Sequence, residues 1–197
     1  METNIKSIAI FCGSSVGKDE QYCKEAQNLG VYLAQQEIAI IYGGARVGLM
    51  GAIADAALNA GGEVIGVIPT FIKHKEIAHE NLTKLIEVKS MHERKMTMFD
   101  QSDGAIILPG GFGTLDVMFE LLTWGQLGLH AKPVGILNVG GFYDLLIAFF
   151  NNMVKQNLLR QSNRDMVLVS QEIPDLLDKM KTYQPPVKAK WINVGQV

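Results

Sequence analysis

The chain has 197 residues, a length that buries a full core without disulfides or metals. Its formal net charge of −2 excludes the broad basic field that sequence-independent nucleic-acid binding needs. Charged residues make up 19%, below the ~25% usual for soluble domains, and hydrophobic residues 48%, so part of the apolar surface is expected to lie against a second subunit.

In chain order, short β-branched runs alternate with longer stretches of helical periodicity. A strand is predicted over 8–12, a helix over 19–35, a strand over 38–42, a helix over 49–59 and strands over 64–68 and 85–88. A helix over 91–101, a strand over 105–108, a helix over 114–127, a strand over 134–138, a helix over 143–155, a strand over 166–169 and a helix over 174–181 complete the series. Most strands are continuous apolar runs, as in parallel strands covered on both faces. The predicted fold is α/β: a doubly wound, Rossmann-like parallel sheet flanked by helices, with one domain over 1–182 and a tail over 183–197 that carries Pro185-Pro186. No run approaches the ~20 apolar residues of a membrane span. The start Met1-Glu2-Thr3-Asn4 lacks a secretory profile, so no membrane partner and a cytoplasmic location are expected.

Glycines follow three of the strands: Gly13 after the first, Gly43 and Gly44 after the second, and Gly110, Gly111 and Gly113 after the fifth. In a parallel sheet these turns share the carboxyl edge, where open α/β sheets bind ligands. The sharpest motif is Leu108-Pro109-Gly110-Gly111-Phe112-Gly113-Thr114. Three glycines there let backbone amides converge, and a helix starting at Thr114 aims its dipole at the same point, which favours a phosphate; the plainer alternative is a tight turn capped by Thr114. The P-loop pattern is absent, and neither Gly111-Phe112-Gly113 nor Gly13-Ser14-Ser15-Val16-Gly17 makes the dinucleotide fingerprint.

In Met91-His92-Glu93-Arg94-Lys95, Arg94 stands at a helix start where its fork of donors reaches the crevice, or else forms a solvated pair with Glu93 or Lys95. Tyr42-Gly43-Gly44 through Gly51 allows close backbone approach, and the loop Lys73-His74-Lys75-Glu76 adds a carboxylate to the same edge. Cys12 and Cys23 read as buried thiols. His74, His79, His92 and His130 lack metal-ligand spacing, so neither a metal nor a cofactor is expected.

Taken together, Cys12-Gly13-Ser14-Ser15, Gly48-Leu49-Met50-Gly51, Val67-Ile68-Pro69, Met91-His92-x-Arg94-Lys95, Pro109 through Thr114 and Leu122 through His130 closely resemble the lonely-guy family over residues 7–170. The resemblance implies a Rossmann-like homodimer that cleaves the N-glycosidic bond of a purine riboside 5′-monophosphate, of the cytokinin type or AMP, to free base and ribose 5-phosphate. It also brings an older label, lysine decarboxylase, although nothing in the sequence identifies a pyridoxal phosphate lysine. It implies phosphate contacts at Gly111, Gly113 and Thr114 and nucleotide contacts at Glu76, Arg94, Lys95 and Thr123. Gly13, Ser14, Gly43, Gly44, Met91, Gly110, Phe112 and Val117 complete the expected binding set.

The family's catalytic pair is an arginine, here Arg94, and the glutamate of P-G-G-x-G-T-x-x-E, whose position is occupied by Val117. A ribosyl C–N bond breaks through an oxocarbenium-like state that a carboxylate stabilises while it activates water, and valine does neither. Asp116, Glu120 and Glu76 are the carboxylates near enough in sequence or expected position to compensate, with Asp116 and Glu120 entered beside Arg94 as catalytic candidates. The alternative is a non-catalytic nucleotide-binding or carrier protein on the same fold.

Overall fold

A computed structural model describes residues 4–73 and 78–186. It contains strands β1 (Ser7–Phe11), β2 (Ala39–Tyr42), β3 (Val64–Pro69), β4 (Lys84–Val88), β5 (Gly104–Ile107), β6 (Val134–Leu137) and β7 (Val167–Ser170). All pair in parallel in the order β4-β3-β2-β1-β5-β6-β7. The order reverses between β1 and β5, so the crevice of this doubly wound sheet opens between those two strands.

The helices are α1 (Glu20–Gln35), α2 (Gly48–Asn59), α3 (Met91–Asp100), α4 (Phe112–Leu127), α5 (Asp144–Lys155), the single turn α6 (Gln161–Arg164) and α7 (Ile173–Lys181). Strand alternation divides the core. Ile8, Ile10, Ile40, Tyr42 and Ile106 point toward α1, α2 and α7, while Ala9, Phe11, Ile41, Ala105 and Ile107 point toward α3, α4 and α5. This two-sided burial is why the strands read as unbroken apolar runs.

Most predicted elements match within two residues; α6 and a 3-10 turn at Val139–Gly141 carry no periodic signal and were not predicted. One boundary difference matters for the site. Helix α4 begins at Phe112 rather than Thr114, and its N-cap is Gly111 in extended conformation, with no side-chain hydrogen bond. Thr114 is therefore a first-turn residue and not the cap. Gly113 lies inside the helix.

Candidate functional site

A cavity of about 340 Å³ opens at the β1/β5 reversal. Its walls are the end of β1 with its following loop (Ile10 to Ser14), Gly43 after β2, Met50 of α2, Met91, Arg94, Lys95 and Met98 of α3, and Gly111 to Thr114 with Val117 of α4. That volume lies within the range of small-ligand sites.

One corner of the cavity is made by backbone. The Pro109 carbonyl accepts the Gly13 amide at 3.0 Å and the Leu108 amide donates to Phe11 at 2.9 Å, so the two glycine turns are tied together. Thr114 and Leu115 amides both donate to the Gly111 carbonyl at 3.1 Å. With no capping side chain at Gly111, the first amides of α4 face the cavity at the positive end of the helix dipole. A Cβ at Gly111 or Gly113 would meet no protein atom within 4 Å, and neither has positive φ. Protein packing thus gives no reason for these two glycines, whereas a ligand pressed against the backbone does.

Arg94 enters from the opposite wall. Its helix starts with a capping box: Ser90 Oγ accepts the Glu93 amide at 3.1 Å, and Glu93 Oε2 accepts the Lys89 amide at 2.7 Å. Glu93 is therefore committed to the backbone. The buried Arg94 guanidinium donates from Nε to the Val67 carbonyl at 3.1 Å and from Nη2 to the Gly43 carbonyl at 2.6 Å, while Nη1 lies 3.8 Å from the Met91 sulfur. The Val67 carbonyl lies within β3 and the Gly43 carbonyl one residue past β2. Gly43 is required here, because a Cβ would occupy the space of the guanidinium.

Lys95, the next residue, turns toward α4. Its ammonium lies 2.7 Å from Glu120 Oε2 and 3.0 Å from Asp116 Oδ2. Burial alone would lower its pKa, but the two carboxylates outweigh burial and raise it, so Lys95 is a fixed cation. A Schiff-base lysine needs the opposite tuning, and Lys95 does not fit pyridoxal phosphate chemistry. At the cavity floor, burial pushes the Cys12 thiol up to about 12 despite the nearby Arg94 charge, which removes it as a nucleophile near neutral pH.

The structure brings Gly13, Ser14, Gly43, Met91, Arg94, Lys95, Gly111, Phe112, Gly113, Thr114 and Val117 around one cavity. It leaves others out. Thr123 is an exposed residue about 13 Å along the helix axis from Thr114, and its hydroxyl is spent on the Phe119 carbonyl at 2.7 Å. Gly44, with φ +75°, and Gly110 shape the turns from behind the lining. Asp116 and Glu120 point to Lys95 rather than into the cavity: on the helix they are rotated by ~100° and ~60° from Val117, toward α3. Glu76 lies outside the described residues. Sequence reasoning missed Ile10, Phe11, Met50 and Met98 as cavity lining, since an apolar residue at helical or strand spacing gives no signal beyond core. Among the described residues no carboxylate lines the cavity and no group of His, Cys, Asp or Glu is placed to hold a metal.

A parallel doubly wound sheet with a backbone anion corner and a buried guanidinium at its reversal point defines a Rossmann-like protein whose site suits a phosphorylated small molecule. The profile of a family described as "Possible lysine decarboxylase" matches residues 50–180. Across 93% of this chain and 81% of the relative, it is 44% identical to a protein of Oryza sativa subsp. japonica named "probable cytokinin riboside 5′-monophosphate phosphoribohydrolase". It is 39% identical to the Arabidopsis thaliana protein named cytokinin riboside 5′-monophosphate phosphoribohydrolase, over 97% of this chain and 86% of that one. The chain belongs to this family, the lonely-guy family. The molybdenum cofactor binding protein of the phototrophic bacterium Rippkaea orientalis shares the fold with a TM-score of 0.67 and 22% identity, covering 91% of this chain and 98% of that one.

Proposed function

We propose that the protein is a phosphoribohydrolase that hydrolyses the N-glycosidic bond of a purine riboside 5′-monophosphate, a cytokinin nucleotide or AMP, giving free base and ribose 5-phosphate. The observation that carries this reading is the α4 anion corner, with Gly111 and Gly113 bare toward a cavity that also holds Arg94. The family relationship selects the nucleotide.

In this reading the 5′-phosphate accepts the first-turn amides of α4 beside Gly111, Gly113 and Thr114, and the ribose and base extend toward Arg94. The bonding electron pair moves from the ribose to the base as the C–N bond breaks, leaving positive charge on the ribose. Arg94 is a donor that keeps its proton, so it stabilises electron density on the departing base rather than protonating it. Water adds to the ribosyl cation and gives its proton to a carboxylate, which passes it on to the departed base anion, so that free base and ribose 5-phosphate result. Val117 leaves that role to Asp116, to Glu120 or to Glu76; Asp116 and Glu120 act directly only on parting from Lys95.

The exposed apolar residues Phe112, Phe119, Leu145 and Phe149 lie at the start of α4 and along α4 and α5, and we assign them to the interface of a homodimer. The formal net charge of −2 disfavours a nucleic-acid partner, and no described helix is long and apolar enough to cross a membrane; the cytoplasm suits the proposed substrate.

A non-catalytic nucleotide-binding protein is the second reading, favoured by the apolar Val117 in the cavity wall. An assay of the purified protein with AMP and with isopentenyladenosine monophosphate separates the two. Base release above the no-enzyme rate is the expected result. Calorimetric binding without release overturns the hydrolase and leaves the binder.

A further inference from the structure

The turn between β5 and α4 is held from three sides. From β1, the Gly13 amide holds the Pro109 carbonyl. From within α4, Thr114 packs so closely on Gly110 that a Cβ there would collide with its hydroxyl. From the β6–α5 connection, the Tyr143 hydroxyl donates to the Leu108 carbonyl at 2.8 Å.

The third contact has no packing rationale. Tyr143 is 2% exposed and its ring fills core space edge-on to Phe142, which a phenylalanine would fill equally. Leu108 lies one residue past the end of β5, where pairing with β6 has stopped at Ile107, so its buried carbonyl has no ladder partner. A buried carbonyl left without a donor is costly, and the turn would shift to hydrate it. The backbone of Tyr143 is itself fixed: its amide donates to Asn138 Oδ1 at 2.8 Å, and Asn138 Nδ2 donates to Asp144 at 2.7 Å. Tyr143 is not part of the cavity lining, so it acts on a ligand only through the turn.

We propose that Tyr143 is a positioning residue for the phosphate corner: its hydroxyl fixes Leu108, and thereby the register of the Gly111–Gly113 amides. The inference rests on the phosphate-binding reading above and adds a residue remote from the ligand that sets its preference for phosphorylated over unphosphorylated nucleoside.

The test is Tyr143→Phe, with affinities for ribose 5-phosphate, AMP and adenosine measured by calorimetry and amide exchange followed over 110–113. The expected result is about 5- to 10-fold weaker ribose 5-phosphate and AMP binding, adenosine binding within twofold, faster exchange at those amides and a loss of kcat/KM through KM. Unchanged ribose 5-phosphate affinity, or adenosine weakened as much as AMP, overturns the role of Tyr143 while the phosphate site stands. Failure of the wild-type protein to bind ribose 5-phosphate or AMP instead overturns the site reading itself, and the inference with it. A Tyr143→Phe chain that does not fold also overturns the inference, since the hydroxyl would then serve the whole core rather than the turn.

Discussion

The two walls of the cavity each present a cation, from neighbouring residues of one helix, and the two are held by different means. Arg94 is gripped by the Val67 carbonyl within β3 and the Gly43 carbonyl just past β2, where the sheet itself fixes the acceptors. Lys95 is gripped by two side-chain carboxylates on α4, one of them 65% exposed. Carbonyls fix a guanidinium through the sheet backbone, whereas the two carboxylates of α4 fix Lys95 through charge. On the proposed reading, the Arg94 donors serve the departing base and the carboxylates around Lys95 the ribosyl side.

Breaking the first wall has the largest expected effect. Arg94→Lys keeps the charge and loses the fork that spans two carbonyls, and kcat/KM for nucleotide hydrolysis is expected to fall about 100-fold or more in steady-state kinetics. Val117→Glu sharpens the second wall by putting a carboxylate on the cavity face beside Lys95. Base release is expected to rise at least about 10-fold with ribose 5-phosphate affinity changed far less; an unchanged rate would mean that another carboxylate already does the work. Smaller effects distinguish the partners of Lys95. Glu120→Gln, at the more buried partner, is expected to lower kcat/KM several-fold, while Asp116→Asn stays within about twofold because an exposed pair is screened.

The smallest effect concerns the far end of α4. His130 Nε2 bonds the Leu121 carbonyl at 2.8 Å and Nδ1 accepts the Lys132 amide at 3.1 Å, an arrangement that needs the neutral ring. Burial lowers its pKa, so the neutral form is favoured on folding. Its contribution to stability is present above the unfolded value of about 6.5 and is lost as pH falls below it through the folded pKa. Thermal melts between pH 7.5 and 5 should show this loss, and His130→Gln should reduce it.

Much of the fold was legible because two-sided burial writes each parallel strand as an apolar run and each helix as a period of 3.6. The glycine turn was legible for a local reason as well: Pro109 to Thr114 is a contiguous stretch whose backbone lines the cavity. The fate of the charged residues was not. Glu93 looked like a partner for Arg94 and instead caps its own helix, and Thr123 belongs to the family's expected contacts yet spends its hydroxyl on Phe119.

The sequence by itself determined the order of elements, the placing of three glycine turns on one sheet edge, and the absence of a carboxylate at position 117, since each is a property of a short stretch of chain. Tertiary structure alone decided that Lys95 meets Asp116 and Glu120, that Arg94 is held by carbonyls 27 and 51 residues away, and that Tyr143 reaches back 35 residues to Leu108. Such contacts join residues that only the sheet's crossovers bring together, and no local pattern encodes the distance between them.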